Sequence, residues 1–587
     1  MSTTAASRYV PLQEGGRDVL IRRLHPFAEQ KIQLRQSLGV VLLAWAVRLS
    51  AVFNFMAALL WHEPKLIYGL GMWMPFQISE GRRLLMLLTS ALLFLLASGL
   101  VRGKRAAWLL TIGALSISPA LYLGRAVIWP QGLVNLSLIG LFLSQHRHFT
   151  ARSDQGSVRL AVIIWSLAMA ALLIFGTVRL HALNKDYVGD PSWLGCLQTA
   201  AELVLVQDTR TQEALTAHAQ HLFSILRIGG MTASVMGLLL VLRPVMLRRC
   251  VSSEQHEREK VRQLIEPYGQ DPLHAFALLG DKNYFFAFDG RAAIAYVLSG
   301  NLAVALADPI CHPAIRSLAI LEFVRFCRKQ DWEPVFYMVT SDLLHAYEEA
   351  GLSVFKVGEE ARLRADSFQL KGGSFQNLRT ICNRARRLGL RFRWYSAAEG
   401  KDESLERQLA LISQHWLESK KTREMTFDMG SYSLEEIRRH GAGVALDASG
   451  QVLAFATWRP FAQGNGRTLD MMRIQPHTRS VMDFVLVESI AHFRGEGIYD
   501  ISLGVAPLAN VKPSPSPLVS EEKLGQFLFR NLDHIYSYKS LYEFKRKYRP
   551  EWRERYVAYR RGVNLPRVGL ALVRVHLPGG FWKFMVG

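Results

Sequence analysis

The chain has 587 residues, which is too long for a single hydrophobic core and predicts several domains. It carries 70 Lys and Arg against 49 Asp and Glu, and the formal net charge of +21 favours anionic partners, either nucleic acid or acidic phospholipid. The five cysteines show no metal-ligand spacing, so the sequence predicts neither a zinc site nor a disulfide framework.

The N-terminal part of the chain contains apolar runs that are long enough to cross a bilayer. After a segment over 1–37, they lie at 38–61, 83–101, 106–124, 127–144, 159–180 and 222–246. Basic clusters precede the first run and follow the second, fourth and sixth runs, and the positive-inside rule places such clusters in the cytoplasm. The sequence therefore predicts a membrane domain of about six helices over 38–250, with both termini in the cytoplasm.

Residues 251–400 are predicted to form a first α/β domain. A charged helix over 251–267 precedes β-rich runs and turn signals over 280–310. Helical periodicity over 314–330 and an apolar strand over 333–340 complete the alternation.

An arginine-rich stretch over 370–395 follows these elements. It has six arginines and no acidic residue, which suits phosphate contacts, and the candidates on its predicted helix are Arg379, Arg384, Arg386 and Arg387. The alternative is an ordinary solvated charged face.

Residues 401–562 are predicted to form a second α/β domain. A helix over 403–420 precedes strands over 443–461 and 467–474, a helix over 479–497 and a strand over 499–508. This order matches an N-acetyltransferase-like (GNAT) domain. Two such units in series predict a cytosolic α/β half with tandem GNAT-like folds behind an integral membrane α-helical half.

The turn over 474–480 tests whether this domain uses coenzyme A. GNAT acetyltransferases cradle a pyrophosphate on bare backbone N–H groups at this place. Here the turn has no glycine, and Pro476 removes one donor. The sequence therefore favours a different activated acyl donor.

The stretch from Lys539 to Tyr559 alternates cations with aromatic rings. Such a surface can hold phosphates with its cations and stack bases on its rings. The alternative is a solvated basic helix whose rings pack inward. The tail over 563–587 is predicted to lie on the membrane surface or to cap the second domain.

An ordered set of motifs runs through the soluble half. In chain order they are GDKNYFFAFDG (280–290), AVALADP (303–309), LKGGSFQNLRTICNRARRLG (370–389), WLESK (416–420), LDMMR (469–473), VMDF (481–484), SLGVAPL (502–508) and FKRKYRPEWRERYVAY (544–559). Together, over about 270 to 559, they resemble the cytosolic synthase domain of aminoacyl-phosphatidylglycerol synthases, the multiple peptide resistance factor family.

The resemblance implies transfer of an aminoacyl group from aminoacyl-tRNA to a glycerol hydroxyl of phosphatidylglycerol in a bacterial cytoplasmic membrane. The product lowers the negative charge of the membrane and gives resistance to cationic antimicrobial peptides. Because the donor ester is already activated, no metal, ATP or other cofactor is implied. The amino acid (lysine, alanine, arginine or ornithine), a flippase activity and a homo-oligomeric state stay open.

The resemblance also implies site residues. Asp470 and Arg473 match the D-x-x-R site residues of the family, and in these positions Asp470 could hold the aminoacyl ammonium and Arg473 a phosphate or the oxyanion. The implied catalytic residues are Asp470, Arg473, Glu522 and Lys539, and the implied ligands of tRNA or lipid phosphate are Lys545, Lys547, Arg555, Arg379, Arg384, Arg386 and Arg387. Relatives often carry an arginine where Tyr542 stands, and a salt bridge that braces a strand is the alternative for Asp470 and Arg473.

Further alternatives concern the base and the reaction. His415 and His440 are candidate general bases by their chemistry. A second reading keeps the fold but uses another lipid acceptor or acyl donor. A third is a non-catalytic membrane protein that binds RNA or anionic lipid.

Overall fold

The structure is a computed structural model. It describes residues 43–49, 51–52, 93–94, 96–97, 100, 105–120, 129–144, 155–183, 185–204, 214–241, 251–419, 424–476, 478, 480–507, 509, 538–560, 563 and 565–577. The described chain divides into two compact units, one made mainly of 33–248 and the other mainly of 249–587.

The first unit is helical over the apolar runs that the structure describes. Its helices are α1 (Arg105–Ala120), α2 (Trp129–Ser144), α3 (Gln155–Ala182), α4 (Trp193–Val204) and α5 (Ala217–Val241). Helix α4 buries Cys196, Ala200 and Leu203 in one core with residues of α3 and α5. Among the described residues, only Ile163–Ala182 in α3 is long and apolar enough by composition to span a bilayer. The predicted runs over 38–61 and 83–101 lie largely outside the described residues.

The second unit is built on one large sheet covered by helices. Its helices are α6 (Val251–Tyr268), α7 (Arg316–Lys329), α8 (Leu344–Glu349), α9 (Gln376–Arg387), α10 (Glu403–Ser419), α11 (Leu434–His440), α12 (Val481–Gly495), α13 (Tyr538–Arg546) and α14 (Leu565–His576). Its strands are β1 (Asn283–Ala287), β2 (Ala292–Ser299), β3 (Leu302–Leu306), β4 (Ile310–Cys311), β5 (Glu333–Thr340), β6 (Leu352–Arg364), β7 (Arg391–Tyr395), β8 (Ala442–Leu446), β9 (Val452–Phe461), β10 (Gly466–Ile474), β11 (Asp500–Pro507) and β12 (Glu551–Arg560).

The sheet repeats one strand pattern twice. Its order is β1-β2-β3-β5-β12-β6-β11-β10-β9-β8-β7, with β4 paired to β2. The pairs β3–β5 and β10–β11 are parallel, and the other pairs are antiparallel. Helices α7 and α12 connect the two parallel pairs, as a parallel connection requires. Each half therefore has the strand order predicted for a GNAT-like unit.

Strand β12 lies far from its neighbours in the sequence. It pairs with β5 on one side and with β6 on the other. A strand from the predicted second domain (401–562) thus completes the half of the sheet that residues 251–400 begin. Helix α14, within the predicted tail, packs Val568, Ala571 and Leu572 into the same core as Val304 and Val335 of that half.

Candidate active site

A bulge in β10 places two of the predicted catalytic residues on one face of the sheet. Residues three apart in a regular strand point to opposite faces. The pairing of β10 with β9 shifts between Leu469 and Met471, so Asp470 is an inserted residue. Leu469 packs into the core beside α12, whereas Met471 packs into the core beside α10. Asp470 and Arg473 therefore share the α10 side.

The Asp470 carboxylate is buried and held at both oxygens. Its Oδ2 accepts a hydrogen bond from Arg459 Nε at 2.8 Å, and its Oδ1 accepts one from the backbone N–H of Gly430 at 2.7 Å. A Cβ on Gly430 would stand 2.6 Å from both carboxylate oxygens, so the close approach requires glycine. A carboxylate has about four acceptor positions, so Asp470 can still accept from a substrate ammonium.

Arg473 pairs with Glu424 rather than with Asp470. Its Nη2 donates to Glu424 Oε2 at 2.7 Å, and its Nε donates to Ser413 Oγ at 3.3 Å. The guanidinium also lies 4.1 Å from the centroid of the Trp416 ring, a cation–π contact. Asp470 and Arg473 thus do not brace the strand by pairing with each other, and each has its own partner of opposite charge.

Residues 424–430 form a segment, called the strap below, that contacts both site residues. Glu424 at its start pairs with Arg473, and Gly430 at its end binds Asp470. In its middle, the Phe427 N–H donates to Asp281 Oδ2 at 3.0 Å, and the Phe427 carbonyl accepts from Lys282 Nζ at 2.8 Å. The strap is therefore fixed to the start of the sheet while it positions the site.

The end of α14 holds the same strap. The backbone N–H of Thr426 donates to the His576 carbonyl at 3.2 Å, and Thr426 Oγ1 donates to the Val575 carbonyl at 3.0 Å. His576 Nε2 lies 2.9 Å from Asp428 Oδ1. Burial disfavours the charged imidazole, but the Asp428 carboxylate outweighs that cost and raises the pKa of His576.

The His576–Asp428 pair makes stability depend on pH. Because the folded pKa of His576 is raised, the pair stabilises fully below the ordinary pKa of 6.5, and this contribution is lost as pH rises through the folded pKa. We expect His576→Asn to lower Tm at pH 6 by about 2–4 °C, because a loss of about 1 kcal/mol in the free energy of unfolding shifts Tm by this amount in a domain of this size. At pH 9 we expect the same substitution to lower Tm less. Thermal melts of the full chain in detergent measure this. His345→Asn is the control, because that imidazole is 84% exposed beside Glu349; an equal Tm loss at both pH values for His576→Asn would contradict the expectation.

A shallow, open pocket lies beside Asp470, and the roughly 230 Å³ of empty space at this place includes open solvent. Its polar lining includes Glu436, His440 and Arg459, and Glu436 accepts a hydrogen bond from Arg459 Nη1 at 2.7 Å. Burial lowers the pKa of His440 to about 4, although Glu436 opposes the shift. His440 is therefore neutral at pH 7 and a weak base. His415, the other candidate base, lies exposed on α10.

Strands β10 and β11 diverge beside Asp470. Their parallel pairing covers only Gly466–Thr468 and Asp500–Ser502, although both strands continue. Each strand is bulged where the pairing ends, and a bulge bends its strand. The opening between them, called the fork below, contains the amine of Lys545, which donates to the Val505 carbonyl at 2.8 Å.

The structure distributes the basic stretch of Lys539–Tyr559 over several environments. Helix α13 and strand β12 divide it, and Tyr542 stacks on Trp552 with ring centroids 4.7 Å apart. Lys547 donates to both carboxylate oxygens of Asp483 at 2.7 Å. The stretch is therefore not one continuous surface of cations and rings.

Arg555, a predicted phosphate ligand, is buried. Its side chain is 3% exposed and pairs with Asp271 and Glu360. The two carboxylates outweigh burial and raise its pKa, while the Arg555 guanidinium lowers the pKa of Asp271 to about 2 against the effect of burial. A phosphate could reach Arg555 only if both pairs broke, so this geometry favours a structural role over the predicted phosphate contact.

The four arginines of α9 differ in their surroundings. Arg379 donates to the carbonyls of Leu370 and Gly372, and Arg386 pairs with Glu488 at 2.6 Å. Arg384 and Arg387 are exposed, and neither has an ion pair within the described part of the chain.

Two predicted catalytic residues have no described side chain. Glu522 lies outside the described residues, and Lys539 is described only as part of the backbone of α13. Sequence reasoning missed Arg459, Glu424 and Gly430. The motif GDKN did contain Asp281 and Lys282, but their strap partner lies 145 residues away from Lys282 and no local spacing shows it.

Comparisons with known proteins agree with this architecture. A family model described as phosphatidylglycerol lysyltransferase, C-terminal, matches residues 262–559. A phosphatidylglycerol lysyltransferase of Bacillus subtilis is 30% identical over 313 residues, which are 53% of this chain and 36% of that protein. A lysylphosphatidylglycerol biosynthesis bifunctional protein of Mycobacterium avium is 27% identical over 507 residues, 82% of this chain and 42% of that protein.

A solved structure extends the likeness to the fold. The C-terminal domain (DUF2156) of a candidate lysylphosphatidylglycerol synthetase from Agrobacterium fabrum superposes with a TM-score of 0.50 and 27% identity, and the match covers 56% of this chain and 98% of that chain. The C-terminal half thus has the fold of that domain, with the GNAT-like strand order described above. Because the family match covers half of the sequence, the chain belongs to the phosphatidylglycerol lysyltransferase C-terminal family, and the predicted family is confirmed. The chain thus spans less than half the length of these two curated relatives.

Proposed function

We propose that this chain transfers an aminoacyl group, lysyl in the first instance, from aminoacyl-tRNA to a glycerol hydroxyl of phosphatidylglycerol. The observation that carries the proposal is the family match over 262–559, which contains Asp470, Arg473 and the fork. The setting we propose is the inner leaflet of a bacterial cytoplasmic membrane, where the product lowers the negative charge and gives resistance to cationic peptides.

The Asp470 carboxylate beside the pocket supports binding of an aminoacyl ammonium. Asp470 and Glu436 are carboxylates that share a single guanidinium, that of Arg459, and His440 is neutral at pH 7. Glu436 also pairs with Arg439 at 3.3 Å, so these charges balance, and the feature that suits an ammonium is the acceptor capacity of the Asp470 carboxylate. The Asp470 carboxylate would hold an ammonium of the donor.

The other side of the site supports stabilisation of negative charge. The guanidinium of Arg473 lies on the same sheet face as Asp470, so it can approach the ester oxygen on which charge develops during attack. Donors that are already fixed in place stabilise such a charge without reorganisation. Glu424 and Ser413 hold this guanidinium before substrate arrives.

Lipid analysis of a host that expresses the chain tests the proposal. Cells are fed separately with labelled lysine, alanine and arginine, and their lipids are separated by thin-layer chromatography. A new cationic phosphatidylglycerol derivative with the lysine label, lost from membrane assays after RNase treatment, is the expected result. Label in another lipid would indicate another acceptor. No labelled lipid in membranes that contain the protein would overturn the proposed function.

The exposed arginines of α9 give a separate prediction about tRNA. If Arg384 and Arg387 contact phosphates, replacing both with glutamine should weaken tRNA binding and reduce the slope of log affinity against log salt by about 2. Filter-binding titrations over a salt series measure this slope. Arg407→Gln is the control, since Arg407 is exposed on α10 and donates a hydrogen bond to the Glu403 carbonyl of its own helix. An unchanged slope in the double variant would show that α9 presents an ordinary solvated face.

A further inference from the structure

The fork contains a lysine whose surroundings do not suit a phosphate ligand. Lys545 is 4% exposed, and its amine donates to the Val505 carbonyl on β11, beyond the last pairing between β10 and β11. A phosphate ligand on a protein surface is normally a hydrated, permanently charged ammonium. The amine of Lys545 is instead enclosed at the point where the two strands separate.

Glycine at position 504 leaves space beside this amine. The φ of Gly504 is +80°, and a Cβ on this residue would stand 3.4 Å from Lys545 Nζ and 4.0 Å from the Leu469 carbonyl oxygen. A side chain would therefore lie between the amine and β10. With glycine, a substrate hydroxyl can come within hydrogen-bond distance of the amine, next to the strand that carries Asp470.

We propose that Lys545 is the proton acceptor for the lipid hydroxyl, an inference that rests on the proposed function. As the hydroxyl oxygen forms a bond to the ester carbonyl carbon, its proton moves to the neutral amine of Lys545. When the tetrahedral intermediate collapses, the bond from that carbon to the tRNA ribose oxygen breaks. The ammonium then returns the proton to the departing ribose oxygen, so the amine is neutral again at the end of the cycle.

The electrostatic surroundings of the amine agree with this role. Burial lowers the pKa of Lys545 to about 7, and the carboxylates of Glu360 and Asp428 partly oppose the shift. Both carboxylates have cationic partners of their own, because Glu360 pairs with Arg555 and Asp428 with His576. A substantial fraction of Lys545 is therefore neutral at pH 7, as a general base requires.

The test compares Lys545→Arg with Lys545→Met in the full chain, assayed with lysyl-tRNA and phosphatidylglycerol vesicles between pH 5.5 and 9. Arginine keeps a positive charge but cannot act as a base, so both variants should lose about 100-fold or more in kcat/KM. If Lys545 were instead a ligand of a phosphate, the Lys545→Arg variant would keep most of the kcat/KM. Lys401→Met is the control, because Lys401 is an exposed lysine paired with Glu403. Lys545→Arg that keeps more than a tenth of the activity would overturn the proposal.

The wild-type chain provides a second measurement that does not depend on folded variants. Its kcat/KM should rise with pH through an apparent pKa near 7, and competitive acetylation followed by mass spectrometry should show Lys545 titrating in the same range. Titration of Lys545 above pH 9 would overturn the proposal. If the wild-type chain forms product but Lys545 titrates above pH 9, the proposed function stands and the role of Lys545 as proton acceptor fails. If the wild-type chain forms no product, the proposed function itself fails.

Discussion

Asp470→Asn is expected to lower the rate of aminoacyl transfer by about 100-fold or more, the scale on which removal of one preorganised charge contact reduces catalysis. The amide has nearly the same shape as the carboxylate but carries no charge. Its nitrogen would also face either Arg459 or the Gly430 N–H, both of which are donors. Assays of labelled lipid formation in membranes with equal amounts of each protein measure the rate.

The control for this prediction is the other carboxylate on Arg459. Glu436→Gln removes an ion pair from the same guanidinium at a similar distance, 2.7 Å against 2.8 Å, but leaves the Asp470 carboxylate in place. We expect it to cost at least tenfold less activity than Asp470→Asn. Equal losses in the two variants would mean that Asp470 acts only by holding Arg459, and its assignment as the ammonium ligand would be wrong.

Local sequence patterns were sufficient to predict the elements around this site. The sequence predicted a strand over 467–474 and a helix over 403–420, and the structure has β10 and α10 at these places. The spacing of Asp470 and Arg473 did not predict that they share a face, because this depends on an inserted residue opposite β9. A bulge is set by the pairing of two strands, and pairing is not visible in one strand alone.

Contacts between distant residues account for most of what the sequence did not show. Six cations in the stretch after Lys539 suggested phosphate binding, yet Lys547 and Arg555 pair with carboxylates that lie 64 and 284 residues earlier in the chain. Composition shows that a cation is present but not which acid the fold brings to it. The family resemblance predicted a reaction class, while the partners of each charge required the three-dimensional structure.

Arg555→Met is expected to lower the free energy of unfolding by about 3–5 kcal/mol, the cost of removing one partner from a buried ion pair. Asp271 and Glu360, which are 8% and 1% exposed, would lose their shared guanidinium. The arginine also fixes β12 between β5 and β6, so its loss should loosen the strand that joins the two halves of the sheet. Denaturant titration of the full chain in detergent, followed by tryptophan fluorescence, measures the effect because Trp552 lies in β12.

Two further variants separate the structural role of Arg555 from a substrate contact. Arg553→Met changes an exposed arginine of the same strand, paired with Glu551, and should change stability by less than about 1 kcal/mol. Adding Asp271→Asn and Glu360→Gln to Arg555→Met should restore part of the lost stability, because no buried charge is then left unpaired. If Arg555→Met instead kept normal stability and only raised KM for lysyl-tRNA, Arg555 would be the phosphate ligand that the sequence suggested, and the buried pairs would have to open when substrate binds.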